Sequence, residues 1–378
     1  ICLSDWSSDV CSSDLQLSTS TNSSHNNHPS TTPATSTAST STGVMVIPGT
    51  EKLFFIIWPD AITGYTTVGS STIFQDKITG HIYRADGPDY KPYKIANTTI
   101  NNLFLSHFAN DGQTIIFQTL NQAANTLSTY IADIPPYNGS PSNLINKAYL
   151  GDNVKAFDTS LDGKNIAYIE EDKKNWNSNI KIISIPSRKV TALATYPLTN
   201  MRMNFYSTDT LAIYQSPLKD KVGQGYIIHI SNGIIIPAAK ETNLIFNPSV
   251  GGTLYNNQSG TVVIYKNITT QFNFDTNSDK CVWSPQSSFI LCGVNNNYSS
   301  RDPNKYLDNS EVYTDNLYLH GLDYPEEKSI YDFQALNKIA VHIYNMKITN
   351  DSQNLYIMDK VKGLYMLKIY PILSAESN

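Results

Sequence analysis

Five segments of this chain share one layout: a short apolar run, a polar turn, then a second strand ending in aromatics. They are LSHFANDGQTIIFQTL (Leu105 to Leu120), KAFDTSLDGKNIAYIEE (Lys155 to Glu171), MNFYSTDTLAIYQS (Met203 to Ser216), KCVWSPQSSFILCGV (Lys280 to Val294) and NMKITNDSQNLYIMDK (Asn345 to Lys360). LIFNPSVGGTLYNN (Leu244 to Asn257) is a weaker sixth. A recurring unit of this size buries its apolar face only against its neighbours, so a period like this constrains the whole fold. The turns fall near Asp111, Asp162, Asp209, Gly251, Gln286 and Asp351, in steps of 51, 47, 42, 35 and 65 residues. Those steps straggle around the blade length of four-stranded propellers, about 40–50 residues. Asp-Gly and Asn-Asp pairs tolerate the positive φ that tight hairpins need. Beyond each turn the apolar residues are consecutive, as in Thr114-Ile115-Ile116-Phe117, which suits a strand covered on both faces.

A further unit, TTVGSSTIFQDKITGHIYRADG (Thr66 to Gly87) followed by YKIANTTI (Tyr93 to Ile100), precedes these. The total is then seven, but the last unit has three strands, ending at GLYMLKIY (Gly363 to Tyr370). The apolar run KLFFIIW (Lys52 to Trp58) has no partner where it stands. It is expected to close the ring as the outer strand of the last unit, leaving few exposed edges. The fold class is therefore all-β: a seven-bladed β-propeller closed by an N-terminal strand, with six or eight blades as the alternatives. Its expected span is residues 44–371, followed by a tail at 372–378. Residues 16–43 are rich in Ser, Thr, Asn and Pro, carry no acidic or basic side chain other than His, and read as a disordered linker. Two His in such a tract (His25 and His28) are polar filler rather than a metal site.

TSLDGKNIAYI (Thr159 to Ile169) and FANDGQTIIF (Phe108 to Phe117) resemble the Ser-Pro-Asp-Gly-Lys repeat of TolB-type propellers, where these residues turn the chain between the first two strands of a blade. DKITGHIYRAD…YKIANTTI (Asp76 to Ile100), together with KCVWS…FILCGV, resembles uncharacterised bacterial propellers known mainly from environmental genomes. That resemblance implies an extracytoplasmic propeller tethered by an N-terminal membrane segment and polar linker, and it carries no characterised activity. Ser207 to Thr210 and Val250 to Gly252 depart from its turn pattern. The first residues are of another kind. DWSSDVCSSDL (Asp5 to Leu15) resembles the translation of a common sequencing-adapter oligonucleotide, so residues 1–15 are expected to be an artefact. On that reading Cys2 and Cys11 leave the count, and any leader or anchor lies before the fragment.

Cys281 and Cys292 then stand as a pair. A hairpin centred between Gln286 and Ser287 sets them directly opposite, close enough for a disulfide. Such a bond fits an oxidising compartment, while two buried thiols are the alternative.

Net charge is −5 with only 16% charged residues, which gives no nucleic-acid footprint. No G-x-S-x-G, H-E-x-x-H, P-loop or zinc-spaced Cys/His cluster occurs, so neither an active site nor a metal or cofactor site is expected. Long polar loops on a rigid scaffold are where binding residues gather. The connections expected to be long are Asp172 to Asn179, Pro217 to Gly225 and Asn295 to Tyr313. Trp176, Tyr298, Arg301, Asp302 and Tyr306 are the candidates, being mostly aromatic or Arg, as at interface hot spots. The expected function is a monomeric scaffold binding an envelope protein or a surface glycan. The alternative is a hydrolase or lyase that uses two carboxylates on cell-surface polysaccharide. Two carboxyl groups at the channel mouth, one of them buried, would mark the enzyme. A mouth lined with aromatics, Asn and Arg but no such pair would mark binding.

Overall fold

The computed structural model describes residues 52–109, 112–295, 313–324 and 326–374. The readings made for the first 43 residues, and for Tyr298, Arg301, Asp302 and Tyr306, lie outside them. The described residues form seven antiparallel sheets of four strands each, and six are simple meanders. Blade 1 consists of Ile62–Val68, Ser71–Asp76, Ile82–Asp86 and Lys91–Ala96. The seventh sheet is the composite one. Phe54–Trp58 pairs antiparallel with Leu364–Lys368, with Phe54 opposite Leu367, so the apolar run Lys52 to Trp58 does close the ring.

Second strands are the most deeply buried in blades 1 to 4. Ile115, Ile116 and Phe117 are fully enclosed, as are Ile166, Ala167 and Ile169, and Leu211, Ala212 and Ile213. Successive side chains point to opposite faces, so an unbroken apolar run is buried only where a neighbouring blade covers each side. The clusters show this directly. Ile73 and Ile82 of blade 1 pack with Phe108, Ile115 and Phe117 of blade 2, and Ile169 and Ile180 of blade 3 pack with Leu211 and Ile213 of blade 4. The expected tail at 372–378 begins as structure: the helix Tyr370–Ser374 brings Ile372 into the core of blade 7.

One turn chemistry recurs between first and second strands. In blade 3 the Ser160 hydroxyl accepts from the Asn165 N–H at 2.9 Å, Asp162 accepts from the Lys164 N–H, and Gly163 at φ 68° donates to the Ser160 carbonyl. Thr349, Asp351 and Ser352 repeat the arrangement in blade 7. In blade 6 Ser284 takes the role of Ser160, with Ser287 at φ 51°.

Buried polar side chains then tie one blade to the next at four junctions. Gln118 Nε2 donates to the Val154 carbonyl, Glu171 accepts from the Asn200 N–H, Asn256 from the Ser278 N–H, and Asp315 from the Ile343 N–H. Each satisfies a backbone group at the entry of the following blade, where an unpaired one is costly.

Cys281 and Cys292 are paired residues in the first hairpin of blade 6, their Cα atoms 4.1 Å apart, and they form a disulfide. Trp283 lies opposite Ile290, as the hairpin centre requires. The bond closes a short loop, so the C281A/C292A protein is expected to lose about 2–3 kcal/mol. Urea unfolding of parent and variant, with and without reductant, checks this; coincident midpoints in all four curves would sink it.

Candidate functional site

Meander topology places every second-to-third connection, and every crossing from one blade to the next, on a single face. The ends of three blades and the crossings before blades 6 and 7 bring a polar cluster to the mouth on that face. Arg202 opens the first strand of blade 4 (Met201–Phe205), and Tyr214 lies near the end of the second (Thr210–Gln215). The crossing into blade 6 ends in a single 3-10 turn, Ser278–Lys280, which supplies Asp279 and Lys280. Asp315 starts the third strand of blade 6, Asp315–Gly321. His342 and Tyr344 flank the entry to the first strand of blade 7, Ile343–Ile348, and Asp359 and Lys360 follow from the end of its second, Asn354–Asp359.

Two of these carboxyls are consumed by the scaffold. Asp315 is fully buried; it pairs with the ammonium of Lys280 and accepts from the Ile343 N–H at 2.9 Å. Burial pushes its carboxyl up, against the pull of the Lys280 charge. Asp359 accepts from the His342 N–H at 2.8 Å with one oxygen and from the Val361 and Lys362 N–H groups with the other. Asp279 differs. Its Oδ1 is enclosed and has no hydrogen-bond partner among the described residues. Burial raises its pKa, opposed by the charges of Arg202, Lys360 and Lys280.

Around it stand groups held in single states. Burial pushes the Tyr344 phenol up to about 12, against the nearby Arg202, and raises Tyr214 likewise. The Lys360 ammonium lies 5.9 Å from the Tyr344 ring, and the Arg202 Nε donates to the Ser216 hydroxyl at 3.1 Å. His342 packs edge-on against Tyr313; burial, with Lys280 and Lys360, lowers it to about 3, so it is a neutral imidazole at pH 7. The mouth therefore offers cations, neutral phenols and one buried carboxyl whose pKa is raised, a set suited to holding a polar or anionic ligand.

The opposite end of the axis is simpler. Asp158 of blade 3 accepts from the Phe205 N–H at 2.7 Å and lies 3.2 Å from the His107 ring nitrogen. Lys347 of blade 7 points inward over the Tyr65 ring, its pKa lowered by burial and partly restored by Asp158. Among the described residues no group of three or more His, Cys, Asp or Glu is placed to hold a metal ion.

Of the expected binding residues, Trp176 is described and stands on the loop-bearing face, 71% exposed. The insertion expected at Asp172 to Asn179 is mostly strand. Asp172 pairs with Asn177 and Glu171 with Ser178, leaving a turn at 173–176, because the Asp172 carboxylate caps the Lys174 and Asn175 N–H groups. The loop expected at Pro217 to Gly225 ends at Lys221, where the third strand of blade 4, Val222–His229, begins. Sequence reading missed Arg202, Tyr214, Asp279 and Tyr344. Each lies in or beside a strand, and only the ring brings them together.

No family model matches this chain, and no curated protein does. Solved propellers match it in fold. The oligogalacturonate lyase of Vibrio parahaemolyticus superposes with a TM-score of 0.56 at 9% identity, over 84% of this chain and 93% of the other. An oligogalacturonate lyase in complex with manganese gives 0.54 at 10% identity, over 81% and 88%. The propeller domain of the Trilobed protease from Pyrococcus furiosus gives 0.51 at 11% identity, over 82% and 95%. At these identities the likeness is one of fold.

Proposed function

We propose that this chain is an extracytoplasmic binding scaffold of the TolB-like kind, acting as a monomer, whose ligand seats in the loop-bearing mouth. The disulfide in blade 6 supports the compartment, since such bonds persist where the surroundings are oxidising. What carries the binding reading is the fate of the carboxyls. Asp315 and Asp359 are committed to Lys280 and to backbone N–H groups, so among the described residues of this cluster Asp279 has no second free carboxyl beside it. Acid–base hydrolysis of a glycoside calls for two such groups. Arg202, Tyr214 and Tyr344 beside a lone acid instead match recognition of a sugar or a polar peptide.

The raised pKa of Asp279 favours a second reading, an acid catalyst on surface polysaccharide, and the fold is shared with two oligogalacturonate lyases. Calorimetric titration of the protein with neutral and uronate-containing oligosaccharides separates the two. Saturable binding without product, weakened about tenfold or more in both Arg202→Ala and Tyr344→Phe, is the expected result. Product release abolished by Asp279→Asn would replace scaffold with enzyme, and absence of binding to any oligosaccharide or envelope peptide would remove the ligand role.

A further inference from the structure

The second-to-third turns carry a sequence signature that their geometry does not require. Three of them read Asp76-Lys77-Ile78-Thr79-Gly80, Asp220-Lys221-Val222-Gln224 with Gly223 between, and Asp359-Lys360-Val361-Lys362-Gly363; a fourth reads Asp172-Lys173-Lys174-Asn175-Trp176. The Asp has a structural task in blades 1, 3 and 7. Asp76 accepts from the Thr79 N–H, Asp172 from the Lys174 and Asn175 N–H groups, and Asp359 from the Val361 and Lys362 N–H groups. Such caps explain Asp and Gly in a turn, but they ask for nothing apolar beyond them. Yet Ile78 is 74% exposed, Trp176 71%, Val222 55% and Val361 53%, with Leu218 at 54% in the same blade 4 loop. Trp176 even sits at φ 56°, a conformation L residues adopt at a cost, at the tip of a capped turn.

Each apolar tip has lysine beside it. Lys77, Lys173, Lys174, Lys219, Lys221 and Lys362 are all exposed; against them stand four carboxyls, of which Asp76, Asp172 and Asp359 accept from backbone N–H groups of their own turns and Asp220 is exposed. The protein as a whole is acidic, at −5. Exposed lysines that outnumber the carboxyls of their turns, set beside protruding Ile, Val, Leu and Trp, are complementary to an anionic bilayer. The apolar tips enter the headgroup boundary while the ammonium groups meet lipid phosphates. A soluble polyanion would match the lysines but leave the apolar tips in water.

We propose that this face docks on an anionic lipid surface through the turns of blades 1, 3, 4 and 7, so that the polar mouth opens toward the membrane. This goes beyond the ligand reading and beyond any N-terminal tether, and it stands on residues other than Arg202, Asp279 and Tyr344.

The test is sedimentation of the full chain with phosphatidylcholine vesicles, alone or with about a third phosphatidylglycerol. Binding to the anionic vesicles only is expected, with tryptophan emission quenched by brominated acyl chains in the parent and unquenched in Trp176→Phe. Reversing Lys173, Lys174, Lys219 and Lys221 to Glu should weaken binding by on the order of a thousandfold or more. Ile78→Ser with Trp176→Ser, both at exposed positions, should weaken it while leaving the near-UV circular dichroism unchanged. Equal binding to both vesicles, or none, would overturn the proposal. So would anionic binding without quenching and matched by heparin, which would assign the lysines to a soluble polyanion.

Discussion

Lys280→Met is expected to cost about 3–5 kcal/mol at pH 8, the penalty for leaving a buried charge without its partner. The substitution leaves the Asp315 carboxylate with the Ile343 N–H but no cation beside it, at a site with no exposure. Burial already raises Asp315, and Lys280 is what opposes that rise. Without the lysine the carboxyl moves up further and takes a proton in the folded state. The sign follows: a folded pKa above the unfolded value, about 3.9, means stability is lost as pH climbs from there through the folded pKa. The variant should therefore lie close to the parent near pH 4 and fall away as pH rises. Adding Asp315→Asn should recover part of the loss at pH 8. Urea unfolding across that range decides it; a deficit under about 1 kcal/mol, or one that does not change with pH, would show that the pair carries little.

The second large effect is at the seam. Phe54 is 6% exposed, and its ring lies 5.5 Å from Tyr365, 5.7 Å from Phe333 and 6.3 Å from Tyr331. Phe54→Ala opens a cavity where strands from distant parts of the chain meet, and is expected to cost about 3–5 kcal/mol. A loosened closing strand also bares the backbone edge of Leu364–Lys368, so the variant should self-associate before it unfolds. Light scattering during a thermal ramp, paired with urea unfolding, measures both. A monomeric variant with the parent's midpoint would mean that the ring does not depend on this strand.

The propeller was legible because its blades repeat a local chemistry. Asp162-Gly163 needs its positive φ wherever it occurs, and Asn165 to Ile169 shows its two-sided burial in the order of its residues. The partner of Lys52 to Trp58 followed from counting strands, and the Cys281–Cys292 pair from the centre of one hairpin. The mouth was not legible. Arg202 and Asp279 are 77 residues apart and in separate blades, and nothing near either marks it as special. Loop length also misled. Lys173 to Trp176 reads as part of an insertion, whereas Asp172 folds it into a tight turn, and the Asp-Lys repeat is weak in sequence because its members differ in length and lack a shared Gly position.

The closing strand sets an order of events. Phe54-Phe55-Ile56-Ile57-Trp58 leaves the ribosome before any of these seven blades is complete, and its pairing partner, Leu364–Lys368, is translated after the strands of the other six. Through the whole synthesis this five-residue apolar segment has no mate, while each of the first six blades is complete as soon as its own meander has emerged. A chain stalled or cut inside the last blade would thus present an open ring together with an unmatched strand, the pairing that leads one molecule to complete another.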